Sequence, residues 1–385
     1  MAAGGDGRVG RTGAAAALLA LALTACTTPA QAPTEASPTP STPPSGEPST
    51  SATSPAPEPP DPGPVRIALA GDVHFEGVLA SRLRDPATAL TPASAALGSA
   101  DITIVNLETS VGTGGRPEPG KRFTFSAGPE AFEALAAAGV DVATMANNHA
   151  LDFGRARLPS TLRAVYAAAA ADPPLSVIGL GRSAEEAFAP AFVDVRGTLV
   201  ATLAASVADQ DPTADPTGRW AATDERGGIA DALDPARLLA AVRRTRRAAD
   251  VVVVYLHWGI QGQRCPSDDQ RSLAAALVDA GADIVAGSHA HQLQGDGRLG
   301  NGYVAYGLGN YAWYSPGDAA TSRTGVLHLT VRPRANGPRP PYVVRAIWGP
   351  ERIGADGLPA TTTPADATDF RSDRESLRAC AGLTD

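Results

Sequence analysis

Short, almost wholly apolar runs at residues 65–70, 102–105, 140–144, 251–256 and 284–286 punctuate the chain, as strands do when both faces of a sheet are covered. Between them lie Ala/Leu-rich stretches at 130–138, 158–171, 235–248 and 270–280, long enough and apolar enough along one face to predict helices. This alternation predicts an α/β fold. Towards the C-terminal end, the runs 303–306, 325–331 and 342–347 follow one another with no helix between them, which predicts a second, partly antiparallel sheet. After Gly349 the chain turns polar, with a short helix predicted near 373–380. The pattern gives one folded domain over 65–350 and a C-terminal tail over 351–385.

The chain before residue 65 reads differently. Arg8 and Arg11 precede an apolar run at 14–23 that ends in Leu23-Thr24-Ala25-Cys26. The run is shorter than the roughly 20 apolar residues a membrane-spanning helix needs, and small residues flank the cysteine, as at a signal-peptide cleavage point. Residues 1–26 are therefore expected to be a lipoprotein signal peptide with a lipobox. Cys26 would be the lipidated first residue, and the protein would sit anchored on the outer face of the cell membrane. Residues 27–64 are dominated by Pro, Ser, Thr and Ala, a composition that cannot bury a core and predicts a disordered, extended tether.

Charge and cysteine usage narrow the function classes. The net charge is −8, and the basic residues are scattered, which excludes the basic stripe that sequence-independent nucleic-acid binding requires. Beyond Cys26 only Cys265 and Cys380 remain. An oxidising exterior permits them to pair, but sequence carries no distance, and two free thiols fit equally well.

The polar residues that follow the predicted strands carry the chemistry. The run at 65–70 leads to Asp72-Val73-His74, that at 102–105 to Asn106-Leu107-Glu108, and that at 140–144 to Asn147-Asn148-His149. The run at 251–256 leads to His257-Trp258-Gly259, and that at 284–286 to Gly287-Ser288-His289-Ala290-His291. In open α/β sheets this edge is where sites are built. Five of the six histidines fall there. One such pair on its own is more often a cap or a satisfied core histidine, whereas five elements in order form a mixed N/O donor set suited to Zn, Mn or Fe, with no thiolate among them. The sixth, His328, lies inside a strand-like stretch without such companions and reads as structural.

The order Asp-x-His, acidic residue, Asn-His, His, His-x-His resembles the calcineurin-like metallophosphoesterases. More closely, the chain resembles the CapA family, associated with poly-γ-glutamate capsule synthesis. The resemblance rests on Gly71-Asp72-Val73, Val105-Asn106-Leu107-Glu108-Thr109, His257-Trp258-Gly259, and most specifically on Ala146-Asn147-Asn148-His149-Ala150-Leu151-Asp152-Phe153-Gly154. It extends through Pro266, Gln270, residues 280–285, Gly287-Ser288-His289-Ala290-His291 and Tyr306-Gly307-Leu308-Gly309-Asn310-Tyr311. Gln261 and Gly262 depart from the acidic and aromatic residues usual there, and Ala290 replaces a common proline. His74 is present where many members lack it.

The resemblance implies a metallophosphoesterase-like four-layer α/β/β/α sandwich with mixed sheets, and a site holding two divalent metal ions. One would be held by Asp72, His74 and His291, the other by Asn148, His257 and His289, with Glu108 bridging. Glu108 stands where related phosphoesterases use aspartate, and Asn106 is the alternative donor from that strand. His149 would protonate the leaving group, with Asp152 orienting it. Asn106, Asn310, and Lys121 and Arg122 beside the Gly/Pro-rich stretch 112–120, are the candidate contacts to an anionic substrate; a solvated loop is the plain alternative for the two cations. Trp258, Tyr311 and Trp313 line a cleft or sit in the core.

Three functions fit this reading. The first is a metal-dependent hydrolase of phosphoesters, or of an amide polymer, at the cell surface. The second is an accessory protein in the synthesis, export or anchoring of an anionic polymer such as poly-γ-glutamate, working with capsule-synthesis membrane proteins. The third is a non-catalytic polymer-binding or interaction module.

Overall fold

The computed structural model describes residues 63–208, 214–315, 317–333 and 343–385. Cys26 and residues 27–62 of the expected tether lie outside the described residues, as does Tyr342 at the start of one predicted strand.

Four strands, β1 (Val65–Val73), β2 (Ile102–Leu107), β3 (Val142–Thr144) and β4 (Ser176–Ile178), lie side by side and parallel. Parallel neighbours need a crossover, and helices α1 (Glu130–Ala137) and α2 (Leu158–Ala169) supply those from β2 to β3 and from β3 to β4. A second sheet comprises β5 (Ala191–Val195), β6 (Thr198–Val207), β7 (Val251–Trp258), β8 (Ile284–His289), β9 (Asp296–Leu299) and β10 (Gly302–Ala305), in the order β9-β10-β8-β7-β6-β5. Its four inner strands are parallel and its edges antiparallel. Helices α3 (Ala236–Thr245) and α4 (Asp268–Ala280) make the crossovers from β6 to β7 and from β7 to β8.

The chain then returns to the first sheet. On the side of β1 away from β2, β11 (Asn310–Ala312) pairs parallel with the end of β1, and β12 (Arg323–Val331), β13 (Val343–Ile353) and β14 (Pro359–Thr361) extend the sheet antiparallel. Helix α5 (Pro364–Ala381) follows, its first turn capped by the Thr363 side chain.

Strand periodicity sorts the side chains into layers. Val65, Ile67 and Leu69 of β1 join the cluster containing Leu203, Val253, Ile284 and, from α3 and α4, Val242 and Leu277. Ala68 and Ala70, on the opposite face of β1, and Val73, beyond the register shift after Leu69, join Phe132 and Leu135 of α1 and Leu162 and Val165 of α2. Because successive side chains point to opposite faces, the first sheet is packed on the second by one face and on helices by the other. The result is a four-layer α/β/β/α sandwich with mixed sheets.

Two sequence expectations are corrected by this topology. The runs at 303–306, 325–331 and 342–347 do not form a sheet together: β10 joins the second sheet parallel to β8, whereas β12 and β13 pair antiparallel onto the first. The short helix expected near 373–380 is the end of the 18-residue α5, which buries Phe370, Leu377 and Ala381. Cys265 and Cys380, which the sequence left open, form a disulfide with Cα atoms 5.7 Å apart, tying α5 to the segment before α4.

One glycine near the end of β1 packs directly against neighbouring backbone. A Cβ on Gly71 would lie 1.9 Å from the carbonyl oxygen of Gly309, which also accepts the Asp72 N–H at 2.9 Å. Backbone cannot yield there as a side chain would. Gly71→Ala is therefore expected to cost about 3 kcal/mol, at the upper end for overpacking, read as a fall in the denaturant midpoint without a change in slope.

Candidate metal centre

The C-terminal ends of the parallel strands in both sheets open onto one point. Asp72 near the end of β1 lies in register with Asn106 of β2 and with Asn310 of β11. Glu108 and the Asn147-Asn148-His149 segment follow β2 and β3, while β7 ends in His257-Trp258 and β8 in His289, paired with Trp258. The apolar strands are buried on both faces, so their polar endings are carried into the interior. Asp72, His74, Asn106, Glu108, Asn147, Asn148, His149, Asp152, His257 and His289 are all buried.

Two donor groups form there and share one residue. Glu108, His257 and His289 place ligand atoms within 4.8 Å of one another, and so do Asp72, Glu108 and His291. In the first group, His257 Nε2 faces Asn148 Oδ1 at 2.8 Å, His289 Nδ1 at 3.1 Å and Glu108 Oε1 at 3.5 Å. In the second, His291 Nδ1 is 3.6 Å from Asp72 Oδ2. Both carboxylate oxygens of Glu108 are buried without a hydrogen-bond partner. A buried carboxylate left unpaired is costly, so this donor set fits bound divalent metal.

The electrostatics agree. Burial, and next the charge of Asp72, hold the Glu108 carboxyl well above the usual carboxylate range. Burial lowers His257 to about 4, against the pull of Asp72, and takes His289 well below its ordinary value. Both rings are thus neutral at physiological pH, the form that ligates a metal. His289 and His291 both hold left-handed backbone conformations, at φ 93° and 55°, a strain of roughly 1–3 kcal/mol each that clusters at functional sites.

Neighbouring side chains orient the donors. Asn106 is buried behind them and does not reach the cleft: its Nδ2 donates to Asp72 Oδ1 at 2.8 Å and lies 3.2 Å from His257 Nδ1, while its Oδ1 accepts from Thr144 and Asn147. Asn310 Oδ1 accepts from His291 Nδ1 at 2.8 Å. His149 Nδ1 donates to Asp152 Oδ2 at 2.6 Å, and its Nε2 lies 3.7 Å from Glu108 Oε1. His74 lies outside the two donor groups: its Nε2 accepts the Tyr314 N–H at 2.9 Å and its ring stacks on Trp313 at 4.0 Å, while its Nδ1 is buried without a hydrogen-bond partner.

A cleft of about 310 Å³ opens over the centre, lined by Arg122, Phe123, Phe125, His149, His291, Asn310, Trp313 and Tyr314 among others. Trp313 faces this cleft, whereas Trp258 and Tyr311 are core residues. Arg122 is exposed, but Lys121 turns inwards. Sequence reasoning missed Phe125, which stacks on His149 at 4.0 Å, and gave no role to Asn147, whose Oδ1 accepts the His149 N–H at 3.0 Å. Asn147 was signalled by its place in the Asn-Asn-His run; Phe125 lies in a loop that carries no periodic signal.

Residues 66–314 match the family model described as the bacterial capsule synthesis protein PGA_cap. The chain belongs to that family. Its PGA_cap region has the metallophosphoesterase-like sandwich that the sequence resemblance implied. The capsule biosynthesis protein CapA of Bacillus anthracis is 32% identical over 197 residues, covering 50% of this chain and 45% of that protein. The PGA biosynthesis protein CapA of Bacillus subtilis is 33% identical over 174 residues, 45% of this chain and 42% of that protein. The matches therefore span less than half the length of these two relatives. A probable polyglutamine synthesis accessory protein of Mycobacterium tuberculosis is 28% identical over 250 residues, 62% of this chain and 63% of that one. Among solved structures, a novel phosphatase from Mycoplasma pneumoniae is similar at 12% identity and a TM-score of 0.42, covering 81% of this chain and 99% of that chain.

Proposed function

We propose that this PGA_cap protein is a metal-dependent hydrolase of phosphoester type. It would be held on the outer face of the cell membrane by a lipid on Cys26 and would serve the synthesis, export or processing of an anionic polymer such as poly-γ-glutamate. The observation that carries the hydrolase reading is the pair of donor groups sharing Glu108, with the His149–Asp152 pair beside them. Asp72 and His291 would hold one divalent ion, and Asn148, His257 and His289 the other; the donor set suits Mn, Zn or Fe. When bound, such a pair activates water and neutralises charge on the reacting group.

The chain's own residues do the rest. Asp152 accepts from Nδ1 of His149 and so leaves Nε2 to carry the proton given to the leaving oxygen. Phe125, stacked on the ring, holds its plane and keeps water from one face. Arg122 offers an exposed guanidinium at the cleft mouth to a substrate anion. Export is supported by the lipobox and by the Cys265–Cys380 bond, since disulfides persist in oxidising compartments. The polymer context is supported by the names of the Bacillus and Mycobacterium relatives, and it brings capsule-synthesis membrane proteins in as partners.

The test is hydrolysis of a generic phosphodiester and phosphomonoester by the full chain with Mn or Zn added, against His149→Ala. Turnover should require metal, and the variant should lose on the order of 10²–10⁴-fold in kcat while retaining its metal. Metal bound by the wild type without turnover would replace this reading with a polymer-binding role.

A further inference from the structure

The geometry points to Lys121 as a positioning residue for His149 and not as a contact to substrate; this inference rests on the hydrolase reading above. Its side chain is only 2% exposed. The ammonium lies 3.2 Å from Asp152 Oδ1, donates to the carbonyl oxygen of Asn148, and donates to that of Ala214 at 3.3 Å. A lysine has three N–H donors; the two carbonyls take two of them, and Asp152 Oδ1 faces the ammonium as its ion-pair partner. The indole of Trp220 covers the group, its ring centre 5.0 Å away. A charge enclosed in this way cannot swing out to meet an anion without stripping the buried Asp152 Oδ1 of its ion-pair partner.

The partners say what the lysine does. Asp152 is gripped along both edges, by Lys121 at Oδ1 and by His149 Nδ1 and the Phe125 N–H at Oδ2, the last two each at 2.6 Å. Phe125 fixes the plane of the His149 ring, Asp152 fixes its rotation within that plane, and Lys121 fixes Asp152. The same ammonium holds the Asn148 carbonyl, which belongs to the peptide leading into His149. Both the imidazole and the backbone that carries it are thus pinned by one side chain. Two of its contacts come from residues 214–220, after β6 of the second sheet, so this strap also completes the His149 setting. Arg122, the next residue, is left as the exposed cation of that loop.

The experiment compares the full-chain wild type with Lys121→Met, the milder Lys121→Gln, and Arg122→Ala. Kinetics with Mn, metal content, and the downfield Nδ1 proton of His149 in ¹⁵N-histidine-labelled protein are all measured, with the resonance assigned by its loss in His149→Ala. Lys121→Met should lower kcat roughly 10–100-fold, as loss of an orienting partner does, with KM and metal content unchanged and the Nδ1 resonance lost. Arg122→Ala should raise KM and keep the resonance. A raised KM with an intact resonance in both Lys121 variants would overturn the inference. If Lys121→Met does not fold, Lys121→Gln decides by the same readouts. If the wild type hydrolyses nothing, the hydrolase reading fails, and the resonance alone still tells whether Lys121 sets His149.

Discussion

Glu108→Gln is expected to abolish metal-dependent turnover and the metal-induced rise in melting temperature, while leaving the metal-free protein at least as stable as the wild type. The two halves of this result have one cause. Glu108 is the single residue common to both donor groups, so its carboxylate is the ligand each cation would share. Losing an orienting neighbour of a metal ligand costs roughly 10–100-fold in affinity or activity, and losing the shared ligand itself should cost more. Without metal, however, both oxygens of this buried group lack a hydrogen-bond partner, and a neutral amide of the same shape removes the cost of burying a charge there. Thermal unfolding of both proteins with and without Mn checks the claim. A variant less stable than the wild type in the absence of metal would mean that Glu108 is satisfied within the apoprotein by groups other than cations.

The second large effect concerns the tail. Cys380→Ser should lower unfolding free energy by about 4–5 kcal/mol, because the Cys265–Cys380 bond closes a loop with a sequence separation of 115 residues, and in the chain-entropy model a loop of about 100 residues contributes about 4.7 kcal/mol. Of the donors, His289 and His291 lie inside the loop, while Asp72, Glu108 and His257 lie outside it. The bond therefore acts on stability without itself assembling the centre, and metal binding at 25 °C should survive. The denaturant midpoint of the variant should coincide with that of reduced wild type. Identical midpoints for oxidised wild type and variant would show that the bond contributes nothing. Reducing agent is the second arm of the same experiment.

How much of this was legible in the sequence follows from burial. Strands β1, β2, β7 and β8 are covered on both faces, so they read as apolar runs whose polar endings announce the site, and Asp72, Glu108, Asn148, His149, His257, His289 and His291 all converge. Strand β6 was missed because Thr198–Val207 is rich in alanine, a residue that favours helix when burial is unknown. Helix α5 was read short because few of its 18 residues are buried. It is held instead by the disulfide and by ion pairs such as Arg374 to Asp296, neither of which leaves a periodic trace.

The finer placements depend on partners far away in the chain. His74 has the spacing of a ligand; its Nε2 is taken by the backbone of Tyr314, 240 residues on, which leaves its buried Nδ1 without a partner. Lys121 and Arg122 are adjacent cations with the same local context. Both border the cleft, but Asp152, the Asn148 carbonyl and the strap at 214–220 hold the Lys121 ammonium inwards, while Arg122 stays exposed.

The measurement that tests the central claim most directly is anomalous diffraction from crystals of the protein grown with Mn. The account predicts two peaks roughly 3.5–4 Å apart, one on either side of the Glu108 carboxylate, the first within reach of Asp72 and His291 and the second within reach of Asn148, His257 and His289. A single peak, or peaks that leave Glu108 without a cation, would contradict it.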